Sequence, residues 1–304
     1  ATDVTGPVTE DGDLLYRFVG LRRESGTQMD FTEDNGYLLA PSVTWKPTDG
    51  TELTLLFNRQ VNEGSVSTMF LPQRGTLDPG PKGQIDPSTF LGEPGWDRYD
   101  REKSEVTLFL EQDLAENWTL KATARDTDSR GETREHWAAI GNGYNPDGTL
   151  ERTIFTADRT TDVTNLDVRV EGQFDLGPTW HNLAVGVGHQ DALWTEDNYF
   201  YGFAQGGSID PYNPEYGNLQ KSVLNPTDRP DNEIEQTGIY LIDHMEIGNT
   251  VVSTALRRDE SENRQLNPGS DNELSEDEET TGRIGLMYRF DFGASPYVSY
   301  SESF

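Results

Sequence analysis

Residues 165–174 read NLDVRVEGQF, and the two interleaved halves of that string have opposite character. Leu166, Val168, Val170 and Phe174 fall on even positions, while Asn165, Asp167, Arg169, Glu171 and Gln173 fall on odd ones. Successive side chains of an extended strand point to opposite faces, so the string is a strand with one apolar and one fully polar face. The pattern returns in residues 283–291, where Ile284, Leu286, Tyr288 and Phe290 alternate with Arg283, Gly285, Met287, Arg289 and Asp291. It returns again at Leu53, Leu55 and Phe57, at Val106, Leu108 and Leu110, and at Trp118, Leu120, Ala122 and Ala124. Around Tyr37, Leu39, Val43 and Trp45 the same rhythm holds, and in residues 238–258 strands are expected without a clear facing.

The connections between these runs alternate in length. Short ones lie at residues 46–51, 113–117, 175–179, 246–250 and 291–295, rich in the Gly, Asn, Asp and Pro of tight turns. Long ones lie at 24–35, 62–103, 126–161, 190–235 and 259–281. That order predicts an all-β fold, an antiparallel up-and-down sheet with every tight turn at one end and every long loop at the other. About eleven strands of roughly ten residues are expected, the length that spans a bilayer when tilted. In a transmembrane β-barrel the apolar face meets lipid and the polar face lines a wet lumen, whereas a soluble sandwich would bury its apolar face between two sheets. Charges in mid-strand (Asp167, Arg169, Glu171, Arg283, Arg289) and aromatics beside the turns (Trp45, Trp118, Trp180, Phe290, Tyr297) favour the barrel.

Composition agrees. Among 304 residues, 54 are Asp or Glu and 24 are Lys or Arg, a net charge of −30, and only 33% are hydrophobic. A strand that spends half its residues on a lumen needs few apolar ones, while the 10% aromatic share argues against disorder. So strong a negative charge repels phosphate backbones, so nucleic acid is excluded as a partner. Cysteine is absent, which removes disulfides and thiolate metal sites. No apolar run is long enough for a transmembrane helix, and Ala1–Asp3 opens without a signal-like basic or apolar region.

Several strings resemble one family. Residues 281–290 (TGRIGLMYRF) and 297–304 (YVSYSESF), residues 90–101 (FLGEPGWDRYDR), residues 3–17 (DVTGPVTEDGDLLYR) and residues 237–243 (TGIYLID) are similar, in matching order, to the barrel region of TonB-dependent siderophore receptors of the ferrichrome type. Ile242 stands where the family's GxYxQD strand usually carries Gln. The resemblance implies a barrel of about 22 strands filled by an N-terminal plug, placed in the outer membrane of a Gram-negative bacterium. It further implies import of a ferric siderophore driven by the TonB complex through the plug. On that expectation residues 1–304 are a partial barrel, about half of one, with the plug and the closing C-terminal strands outside this chain. Outer-membrane lipid and lipopolysaccharide are the implied surroundings, and the siderophore is cargo, with no resident cofactor.

No catalytic constellation is expected. His136, His181, His189 and His244 show no metal-ligand spacing, and no metal site is assigned. Ligand capture is the expected chemistry, by rings that offer large contact areas with few rotatable bonds. Residues 194–203 (WTEDNYFYGF) hold Trp194, Tyr199, Phe200, Tyr201 and Phe203, and the preceding long loop holds Trp137 and Tyr144. These seven are the candidate substrate-binding residues; the competing reading makes them an aromatic girdle or loop packing. The acid-rich segment 259–281 is expected as a solvated loop, with divalent-cation binding as its alternative. A soluble β-rich binding or adhesive module, or a passive porin or phage-docking surface, remains the alternative function.

Overall fold

In a computed structural model, which describes residues 1–64, 70–138, 143–202, 205–217, 224–266 and 273–303, every regular element is a strand. The first half comprises β1 (Thr2–Pro7), β2 (Leu14–Arg23), β3 (Asp34–Thr48), β4 (Thr51–Gly64), β5 (Arg98–Ala115) and β6 (Trp118–Ala138). The second comprises β7 (Leu150–Leu176), β8 (Thr179–Gly202), the two-residue β9 (Ser208–Ile209), β10 (Asp231–Ile247), β11 (Thr250–Leu266), β12 (Glu273–Tyr288) and β13 (Tyr297–Ser301). Each strand pairs antiparallel with the next along the chain, except that β8 pairs β10 and β9 pairs β7. The result is one continuous meander with β1 and β13 at its two edges. Tight turns join β3 to β4, β5 to β6, β7 to β8 and β10 to β11, the β1–β2 and β12–β13 connections lie at the same end, and the connections that follow β2, β4, β6, β8 and β11 lie at the other.

Cross-strand register carries the alternation around the sheet. Leu120 pairs Val170, Val170 pairs Val185, Val185 pairs Leu241, and Leu241 pairs Leu256, so one apolar face runs through β6, β7, β8, β10 and β11. No second sheet covers that face among the described residues: Leu166, Val168, Ile284, Leu286 and Tyr288 are 42% to 54% exposed, and Val170 is half-buried. A soluble sandwich would have buried them. The facing in residues 238–258 is now settled, with Ile239, Leu241 and Leu256 on the apolar face and Tyr240, Ile242 and Arg257 on the polar one. Of the strand-end aromatics, Trp45, Trp118 and Phe290 share the apolar parity. Trp180 falls on the polar face against His244, and Tyr297, opposite Met287, is on that face too.

One polar trio interrupts the apolar face near the tight turns. His181, stacked on Phe174 at 5.1 Å, has Nδ1 2.8 Å from Asp243 Oδ2 and Nε2 2.9 Å from Thr179 Oγ1. The trio sits level with the aromatic rim, where polar groups on the lipid face are tolerated best.

The main departure from expectation is strand length. Residues expected as the loops 126–161 and 259–281 are largely paired strand, and so are the two ends of 190–235: β7 has 27 residues, β8 has 24 and β6 has 21. The acids expected in a solvated loop stand instead on two paired strands, with Glu260 opposite Glu278 and Glu262 opposite Glu276; Asp271 lies outside the described residues. Backbone hydrogen bonding needs no apolar face, so polar hairpins continue the ladder well past the membrane. The buried hydrophobic cluster, Phe90, Leu91, Ala138, Leu150 and Ile209, therefore lies in this external region, with Met29, Tyr144 and Tyr216 packed on it.

Candidate functional site

The external ends of β6, β7 and β8 carry a platform of aromatic rings. Trp137 and Phe155 share the polar-face parity of their hairpin and stack with centroids 4.9 Å apart and planes 14° apart. Tyr201, opposite Phe155, reaches Trp137 at 5.9 Å, and Tyr199 meets Phe155 edge-on at 5.6 Å. Phe70 adds an edge-on contact with Trp137 at 5.2 Å from the segment that follows β4.

A bulge decides which rings join. The pairing slips by one residue between Asp158 opposite Asp197 and Thr156 opposite Phe200, and the extra residue lies beside Asn198, whose φ is +49°. Asn tolerates this left-handed conformation, and Thr156 Oγ1 secures it by donating to the Asn198 carbonyl at 2.7 Å. Below the bulge, even positions such as Trp194 and Glu196 face the lumen. Above it odd positions do, so Tyr199 and Tyr201 join the platform and Phe200 turns to the opposite face.

Three of the seven expected residues, Trp137, Tyr199 and Tyr201, are thus brought together. Trp194 lies lower on the same wall, opposite Thr161. Phe200 is on the opposite face, with its ring against Gly202, and Tyr144 belongs to a separate contact. There its hydroxyl donates to the Arg74 carbonyl at 2.9 Å and its ring stacks with Tyr212 at 6.4 Å. Phe203 lies outside the described residues. The sequence reading missed Phe155, a single ring in a Thr-rich run, and Phe70, far away along the chain.

Charge frames the rings. The Arg229 guanidinium sits 3.6 Å from the Tyr199 centroid and that of Arg159 sits 5.6 Å from Phe155. Both cations converge on Glu196, Arg159 at 2.6 Å and Arg229 at 3.4 Å. Glu135, two residues before Trp137, is buried; burial holds its carboxyl above the ordinary range, and the hydrogen bond from the Trp137 indole partly offsets this. Cation–π and ring stacking together suit a bulky, partly apolar chelate. No group of three or more His, Asp or Glu positioned for a metal ion occurs among the described residues.

Below the platform, the lumen wall holds a concavity of about 820 Å³ lined by Arg125, Asp167, Arg169, Gln236, Tyr240 and Arg257, among others. One hydrogen-bonded chain crosses it. Lys121 pairs with Glu171, Arg169 with both Glu171 and Asp167, and Tyr240 Oη donates to Asp167; Arg257 and Asp259 form a separate pair, with the Arg257 guanidinium 5.7 Å from the Tyr240 ring centroid. This is a polar inner wall with its charges matched.

Comparison with known proteins gives the wall and rim a family. Residues 23–304 match the family model described as TonB dependent receptor-like, beta-barrel. A ferrioxamine B receptor of Salmonella typhimurium is 30% identical over 307 residues, covering 100% of this chain and 42% of that protein. A ferrichrome outer membrane transporter/phage receptor of Escherichia coli K12 is 25% identical, covering 99% of this chain and 43% of that protein. The chain therefore spans less than half the length of these curated relatives. The siderophore receptor PiuA of Acinetobacter baumannii superposes with a TM-score of 0.84 at 18% identity, over 98% of this chain and 46% of that one, which shows the fold. Apolar belt, meander and family match agree: the chain belongs to the TonB-dependent receptor β-barrel family, and its place is the outer membrane.

Proposed function

We propose that this chain is wall and mouth of a TonB-dependent transporter that captures a ferric siderophore, of the hydroxamate class, on its external ring platform. The observation that carries the reading is the convergence of Phe70, Trp137, Phe155, Tyr199 and Tyr201 above an open polar lumen. The names of the relatives point to the same cargo. An open sheet in hydrocarbon leaves unpaired backbone groups at both edges, which lipid does not satisfy. Further strands therefore pair with β1 and β13 to close a barrel, and a plug that engages the TonB complex fills the lumen. Lipid meets the apolar belt, and the lipopolysaccharide layer meets the charged hairpins above it.

The test is equilibrium binding of a ferric trihydroxamate chelate to the full-length receptor, followed by quenching of tryptophan emission, with iron uptake measured in cells with and without TonB. Saturable binding with TonB-dependent uptake is the expected result. Binding without uptake reduces the reading to a docking surface, and no binding by any hydroxamate, catecholate or carboxylate chelate overturns it.

A further inference from the structure

The segment 70–97 grips the β6–β7 hairpin from both faces. On the ring face it delivers Phe70 to Trp137. On the opposite face it is fastened by Arg152, whose side chain is fully buried. Arg152 Nη2 donates to Glu93 Oε1 at 2.7 Å, Nη1 donates to the carbonyls of Leu91 at 3.3 Å and Gly92 at 3.2 Å, and Nε donates to the Gly206 carbonyl at 2.9 Å. Glu93 Oε2 in turn accepts the Gly217 amide at 2.7 Å, which draws in the second external segment, 205–217. Next along β6, Asp97 accepts the His136 backbone amide at 2.9 Å and lies 2.6 Å from His136 Nδ1. The fit leaves no slack, since a Cβ at Gly206 would lie 2.8 Å from both Arg152 Cβ and His136 Cδ2.

Strand alternation makes this clasp relevant to the rings. Trp137 sits between His136 and Ala138, and Phe155 follows Ile154, so the backbone that carries the two stacked rings is the backbone that the clasp holds from behind. We infer that Arg152 is the positioning residue of the ring platform, coupling both external segments to Trp137 and Phe155 through its four hydrogen bonds. The inference rests on the capture reading for its consequence and on the geometry alone for the coupling. A buried guanidinium with every donor group directed at a fixed oxygen has one orientation, which a flexible loop lacks. Lys in its place would supply the charge without the planar fork.

The experiment uses the full-length receptor and filter retention of a radio-iron trihydroxamate chelate. Glu93→Gln, which keeps the volume and removes the charge, and Arg152→Lys are each measured alone and with Trp137→Phe. Each clasp variant is expected to raise Kd about tenfold through faster dissociation. Combined with Trp137→Phe it is expected to lose no more than the larger single change, because both act through one contact. Additive losses, or clasp variants that bind as wild type does, overturn the inference. Retained heat-modifiable gel mobility shows that the barrel has folded. If wild type binds no chelate, the capture reading is what fails. Protease cleavage within 70–97, expected to be faster in the clasp variants, then still tests the coupling, and unchanged cleavage sinks it.

Discussion

Tyr240 lies flat across Gly186. The two are directly opposed in the β8–β10 ladder, and a Cβ at position 186 would come within 2.5 Å of the tyrosine Cζ and Oη. The missing side chain is what lets the ring lie on the lumen wall and donate to Asp167 at 2.7 Å. Gly186→Val is expected to lower barrel stability by about 1–3 kcal/mol by overpacking. Tyr240→Phe, which loses only the hydrogen bond, is expected to lower it by about 1 kcal/mol. The shift in urea midpoint of the refolded barrel reads both; equal shifts would mean that the hydroxyl, not the ring, is what position 186 accommodates.

The platform predicts a pattern among neighbouring rings. Trp137→Ala and Phe155→Ala remove a stacked pair and are each expected to weaken chelate binding about tenfold. Phe200→Ala, next in sequence to two platform tyrosines but on the opposite face, is expected to change affinity less than about twofold. A titration that ranks Phe200 with Trp137 would place the ligand on the wrong side of the hairpin.

Glu135 predicts a pH dependence for the external hairpin. Its folded-state pKa is raised above the ordinary 4.5, chiefly by burial. The folded form therefore holds the proton more tightly than the unfolded one. The stability this contributes is fully present below the unfolded value and is lost as pH rises through the raised folded value. Glu135→Gln, whose carbonyl still accepts from the Trp137 indole, is expected to flatten that slope. Amide exchange in β6 and β7 between about pH 4 and pH 7 measures it, and an unchanged slope in the variant assigns the effect elsewhere.

The His181–Asp243 pair stands on the lipid-facing side with a 2.8 Å contact. Removing Asp243 leaves His181 Nδ1 without its partner while Nε2 keeps Thr179, so Asp243→Leu alone is expected to destabilise by about 1–3 kcal/mol. The double change His181→Phe with Asp243→Leu is expected to lie within about 1 kcal/mol of wild type or above it. Unfolding from lipid vesicles compares them, and a double variant weaker than the single one shows that the pair contributes net stability.

The wall was legible in the sequence because lipid and lumen impose opposite demands on alternate residues, and Leu166, Val168 and Val170 against Asp167, Arg169 and Glu171 record both. Above the membrane that contrast ends. Asp126, Asp128, Arg130 and Glu132 share one face of β6 while Thr127 and Ser129 share the other, both polar, so nothing in their pattern separates paired strand from loop. Aromatic density correctly drew attention to Trp137, Tyr199 and Tyr201. It did not separate them from Phe200, because the bulge at Asn198 reverses parity within three residues. Phe70 and Phe155 are joined only by tertiary packing, to which sequence spacing is blind.

The length of β7 has a mechanical side. From Leu166, at the outer edge of the apolar belt, to Leu150 at the tip is a run of 16 residue steps (166 − 150) of continuous strand. At about 3.3 Å per residue that is roughly 50 Å of ladder. Rings mounted at the end of such a beam are not free to wander as they would on a slack loop. A tilt of about one degree at the belt would sweep the tip by roughly 0.9 Å on that rise, a shift comparable with the tolerance of a ring stack. Geometrically the strand is a lever arm rising from the belt: an angular strain of the wall is enlarged in proportion to height, so rings near the tip are displaced further than the wall that carries them.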